Sequence, residues 1–169
     1  MKRKVLATLT LTFMAMAVVG IWGCSSDDTD VYPSPEITAF FNEALPGGGH
    51  LSECFFASAT SQEKDTCCLV NSRSELQALY ACDKKLPEID FDRYTLILGT
   101  HIAPAGYKTE IKTVETTEEA IVVTLEMESL PVATSGKFVP YNYWGLYDKL
   151  YPRKILTKVI RIFPDIEDM

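Results

Sequence analysis

Glu118-Glu-Ala-Ile-Val-Val-Thr-Leu-Glu-Met-Glu-Ser129 reads as a β-strand with two unlike faces. Ile121, Val123, Leu125 and Met127 fall on one face, and Thr124, Glu126 and Glu128 on the other. That alternation is the signature of a half-buried strand. Upstream, Tyr94-Thr-Leu-Ile-Leu98 is almost continuously apolar and is closed by Gly99, as expected of a central strand. Pro104-Ala-Gly-Tyr107 is a turn into a further strand, Tyr107–Glu115, and Thr116-Thr-Glu-Glu119 is a solvated hairpin tip. Lys154–Phe163 is a last strand ahead of Pro164 and an acidic tail. Many strands and few helices predict an α+β fold: a mostly antiparallel β-sheet, sandwich or partly open barrel, with one or two short helices.

Toward the N-terminus the punctuation is helical. Ser34 can cap a short helix with Pro35 in its first position, running through Phe40 and Phe41 toward Leu45. Pro46-Gly-Gly-Gly49 breaks it. Residues 51–58 and 66–71 have the composition of strands, with Ser58 to Thr66 as the loop between them. Ser72-Arg-Ser-Glu75 is a capping box, and the helix it opens carries Leu76, Leu79 and Tyr80 on one face and ends near Cys82. That stripe is expected to face a sheet.

The chain has 169 residues, enough for one domain, with 16 basic and 23 acidic residues. Met1-Lys-Arg-Lys4 followed by the uncharged run Val5–Val19 is the n-region and h-region of an export signal, shorter than a membrane span. Ile21-Trp-Gly-Cys24 resembles a bacterial lipobox, with Trp22 departing from the usual small residue; cleavage after Ala15-Met-Ala17 is the competing reading. Residues 1–23 are then a lipoprotein signal peptide, 24–35 an acidic, Pro-containing tether, and 36–169 one globular domain. The acidic run behind Cys24 resembles the surface-export tether of Bacteroidetes lipoproteins, and a periplasm-facing spacer is the alternative. Lipidation of Cys24 makes the membrane the first partner, since acyl chains anchor where a short apolar run does not. Loss of Lys2, Arg3 and Lys4 leaves 13 basic against 23 acidic residues, a formal −10. Such a domain does not suit nucleic acid, whose binding rests on Lys and Arg.

Cys54, Cys67, Cys68 and Cys82 remain in a compartment that allows oxidation. They permit three pairings, and adjacent Cys67 and Cys68 are not expected to bond each other. In a strand those two point to opposite faces, so one can reach Cys54 and the other Cys82. Zinc is the sharper alternative, but no C-x-x-C pair is present.

Leu86-Pro-Glu-Ile-Asp-Phe-Asp92, Tyr94–Gly99, Ala103-Pro-Ala-Gly-Tyr107, Glu110-Ile111 and Ala120–Glu128 form an ordered series. It resembles the C-terminal domain of the protease complex subunit PrcB family of bacterial envelope proteins. In that family an Asp-Phe pair precedes a strand ending in Gly, and a Gly-rich turn and an alternating strand follow. Asp90-Phe91, Gly99, Gly106-Tyr107 and Ile121–Leu125 take those places, within about 86–163. The turn lacks the family's glycine pair, and Ser129–Pro152 is longer and more aromatic. The resemblance implies a non-enzymatic module that assembles or stabilises a partner, and it carries no active site.

Phe138, Tyr141, Tyr143, Trp144, Tyr147 and Tyr151 crowd into an expected aromatic loop over 138–151. Tyr141, Tyr143, Trp144 and Tyr147 are the candidate binding residues, able to stack on sugar rings or anchor another envelope protein. The competing reading folds these rings back to close one end of the sheet. His101 follows a strand end without a second His nearby, and His50 sits in a Gly-rich loop. Asp90 and Asp92 suit a turn better than a cation site. Lys149, Arg153, Lys154 and Lys158 form a modest basic patch. Nucleophile, base and orienter do not cluster, so the expectation is a binding module with no cofactor, catalytic residue or metal.

Overall fold

Two serines start the two helices of the described residues, as their neighbours in sequence dictate. Ser34 Oγ accepts the Ile37 N–H at 3.4 Å, and Pro35 opens helix α1, Pro35–Ala44. Ser72 Oγ accepts the Glu75 N–H at 3.2 Å to open α2, Arg73–Leu79. Glu75 reaches back one residue further than a capping box requires, to the Asn71 N–H at 2.6 Å. This computed structural model describes residues 32–46, 52–56, 64–130 and 136–163. The export signal, Cys24, the tether up to Val31, the glycine run with His50, loop residues 57–63 and the acidic tail from Pro164 lie outside the described residues.

The described residues hold six strands: β1 Thr66–Val70, β2 Tyr94–Pro104, β3 Tyr107–Thr116, β4 Ala120–Ser129, β5 Phe138–Asp148 and β6 Lys154–Ile162. They form two three-stranded sheets, ordered β1-β2-β5 and β3-β4-β6. All pairings are antiparallel except β4 with β6, which is parallel. The fold is α+β and mostly β, with two sheets that are not closed into a barrel.

The layering explains the sequence patterns. Leu96 and Leu98 of β2 pack with Phe41, Phe55, Leu76 and Leu86 in a core beneath the helices. Ile97, between them in sequence, joins Ile121, Val123 and Leu125 in a second core between the sheets. A strand buried on both faces has no polar side to show, which is why Tyr94–Leu98 does not alternate. On β4, Ile121, Val123, Leu125 and Met127 are fully buried on one face, while on the other Thr124 is buried, Val122 and Glu126 are half-buried and Glu128 reaches solvent.

Three expectations are corrected. β2 does not end at Gly99 but continues to Pro104, because Gly99 is a crossing point rather than a stop. Tyr143, its partner on β5, lays its ring over Gly99 and donates from Oη to the Thr66 carbonyl of β1 at 2.9 Å. Residues 52–56 are not strand; Phe55 makes only an isolated bridge to Tyr80. A strand would send Phe55 and Phe56 to opposite faces, whereas both rings enter the core under the helices, with Phe56 at φ 55°. Ser52 Oγ holds this turn, accepting the Phe55 N–H at 2.9 Å and donating to Ala44 O at 2.7 Å. Thirdly, the expected aromatic loop is strand β5 over most of its length.

Candidate functional site

β5 is an edge strand. It pairs with β2 on one side and has no strand partner on the other among the described residues. Along that free side runs a groove of about 560 Å³, bounded by Asn42 of α1 and the capping residue Leu45 and by Tyr107–Ile111 of β3, with Leu130 at its rim. Strand alternation sends successive β5 side chains to opposite walls. Trp144 takes the helix side, its ring 5.0 Å from that of Phe41 and its Nε1 donating to Asn42 Oδ1 at 3.0 Å. Tyr143 and Tyr147 take the side of the inter-sheet core.

Three of the four candidate aromatic residues, Tyr143, Trp144 and Tyr147, therefore line one groove. Tyr143 is itself buried, leaving the half-buried Trp144 and Tyr147 as the rings on offer. Tyr141 belongs to the core: it is fully buried, donates from Oη to Pro104 O at 2.9 Å and accepts the Tyr107 N–H at 3.1 Å. Replacing Tyr141 by Phe is expected to lower stability by about 1–3 kcal/mol, because the Tyr107 N–H loses its acceptor. Urea unfolding of the variant measures this, and an unchanged midpoint would show that the hydroxyl does not brace the turn into β3.

The groove is electrically quiet. Its charged lining residues, Lys108 and Glu110, lie 3.8 Å apart and offset each other. Burial pushes the Tyr143 and Tyr147 hydroxyls above their usual titration range, so both remain neutral donors at physiological pH. Sequence reading missed Asn42, Leu45 and Leu130. The Asn42–Trp144 contact spans 102 positions, and no local pattern announces it.

Among the cysteines, the bond joins Cys54 to Cys82 and leaves Cys67 and Cys68 as thiols. This overturns the expectation that the adjacent pair reaches out to the other two. Ala81 N–H donates to Cys54 O at 2.9 Å next to the Phe55–Tyr80 bridge, so backbone pairing alone brings Cys54 and Cys82 together. Cys67 and Cys68 are held in β1 opposite Gly99 and Leu98. Burial pushes both thiols up, which makes them poor nucleophiles.

The remaining candidates are structural. His101 Nδ1 lies 2.9 Å from Asp65 Oδ2, and Asp65 Oδ1 accepts the Ile102 N–H, so the pair staples the chain entering β1 to β2. The other imidazole nitrogen, Nε2, is buried without a partner among the described residues. Asp90 Oδ1 accepts the Asp92 N–H at 3.1 Å and the Arg93 N–H at 3.4 Å, a turn as expected. Lys149 donates to Asn71 O and Phe91 O, and Arg153 to Thr117 O and Glu118 O, so half of the basic patch is committed to carbonyls. Comparison with protein-family models, curated proteins and solved structures gives no match.

Proposed function

We propose that this protein is a lipid-anchored, non-catalytic component of the bacterial cell envelope that binds and helps to assemble or stabilise another envelope protein. The groove along β5 carries this reading. It combines aromatic anchors, Trp144 and Tyr147, with an open strand edge and balanced charge. Aromatic side chains set in a concave apolar surface are the usual anchors of protein recognition. The resemblance of about 86–163 to the PrcB C-terminal domain points the same way. Cys24, acylated, would hold the domain at the outer membrane, with the tether 24–35 facing the cell surface or, alternatively, the periplasm.

A glycan is the second reading. Asn42 and Thr109 stand among the groove's aromatic residues, the mixture that receives a sugar's polar rim and apolar face. Covalent cross-linking and capture from solubilised membranes separates the two. A defined protein partner is expected with the native protein and is reduced with Leu130→Arg, which places a charge at the groove's rim. Capture of polysaccharide without protein would replace the first reading by the second. In the same cells Cys24→Ala is expected to lose membrane partitioning, and its retention there would overturn the anchor.

A further inference from the structure

We infer that the groove's occupant is an extended, uncharged peptide segment of the partner, added as a fourth strand to the free edge of β5. This rests on the protein-binding reading and names the form the partner takes. An open strand edge presents a row of N–H and C=O groups, and a peptide in the β conformation is the ligand that matches such a row.

The two sheets have four edge strands, β1, β5, β3 and β6, and β5 is the one that is both long and, short of its last residue, uncharged. Natural edge strands are guarded against pairing by charged side chains. β6 carries exposed Lys154, Lys158 and Arg161, β3 carries exposed Lys108, Glu110 and Lys112, and β1 is only five residues long, a further guard against pairing. β5 from Val139 to Tyr147 carries no charged residue, and its one proline, Pro140, lies ahead of the stretch Asn142–Tyr147. The chain is acidic, at a formal −7, yet the groove beside β5 is neutralised by the Lys108–Glu110 pair. That balance suits a neutral segment and gives nothing to a strongly charged one.

Geometry then sets the segment's size and pattern. The stretch Asn142–Tyr147 extends about 20 Å at ~3.3 Å per residue, room for a segment of roughly six residues. Its side chains would point alternately toward Trp144 and Leu45 and toward Tyr147 and Ile111. These four side chains are apolar or aromatic, so apolar residues are expected in both alternating positions, with specificity from size rather than charge.

The test uses the full-length protein in detergent and a phage-displayed library of uncharged heptapeptides. Enriched peptides are synthesised with single backbone N-methyl groups at each position in turn. Main-chain pairing predicts a loss of about tenfold at alternate positions and little change at those between, since only every second N–H faces β5. The Leu130→Arg protein, checked for an unchanged thermal midpoint, is expected to bind these peptides weakly. Uniform tolerance of N-methylation, or enrichment that is the same on Leu130→Arg, overturns the strand-addition proposal. So does a concentration-dependent dimer blocked by Leu130→Arg, which makes a second copy the occupant. If membrane capture still yields a protein partner after such a failure, the assembly function stands without this mode; if neither native nor variant protein captures one, the function itself falls.

Discussion

Gly99→Ala is expected to cost about 3 kcal/mol or more, a large share of the stability of a domain of this size. A Cβ at this position would overlap the Tyr143 ring and hydroxyl and sit 2.5 Å from the Thr66 carbonyl. One obstacle is backbone of β1, and the other is a ring held by a hydrogen bond to that same carbonyl. Neither can give way without separating β1 from β2 or lifting Tyr143 out of the inter-sheet core. Overpacking usually costs about 1–3 kcal/mol, and this site stands at the upper end because two neighbours are confined together. Guanidinium unfolding of Gly99→Ala, Tyr143→Ala and the double variant tests the cause as well as the size. Because Tyr143→Ala removes one of the two obstacles, the double variant should be less destabilised than the sum of the singles. Strict additivity would show that the ring crossing does not govern this position.

Removing the disulfide is the second large effect. Cys54 and Cys82 are 28 residues apart, and closing a loop of that length restricts the unfolded chain by about 3.5 kcal/mol. The native cost is small, because Phe55, Tyr80 and Ala81 already hold the two segments side by side. Cys54→Ala/Cys82→Ala is therefore expected to keep the fold and lose most of that stabilisation, read as a lower denaturant midpoint. Cys67→Ser and Cys68→Ser leave the bond intact, and a non-reducing digest should still join the peptides of Cys54 and Cys82. Recovery of Cys67 or Cys68 in that linkage would refute the pairing.

The legible features share a short range. Ser34 with Pro35, and Ser72 with Glu75, act on N–H groups within a few residues, and both helices start where they predict. The alternation of Ile121–Met127 and the unbroken run Tyr94–Leu98 identified a strand buried more deeply on one face and a strand covered on two. Misreadings arose where a residue type carries two meanings. Gly99 resembles a strand stop but is a saddle for Tyr143, and aromatic crowding over 138–151 resembles a loop but builds an edge strand. Tyr141 and Tyr143 fold back as the competing reading had it, whereas Trp144 and Tyr147 reach the groove.

The sequence by itself determined the fold class, the helix starts and the buried face of β4, because hydrogen-bond caps and side-chain periodicity are local. Tertiary structure alone decided which cysteines bond, and it alone decided that Asn42 meets Trp144 and that, among the described residues, β5 keeps an open edge beside β3. Those outcomes depend on which distant segments pack first against a shared core. Free energy of that kind is spread over many small contacts, and no single stretch of chain contains it.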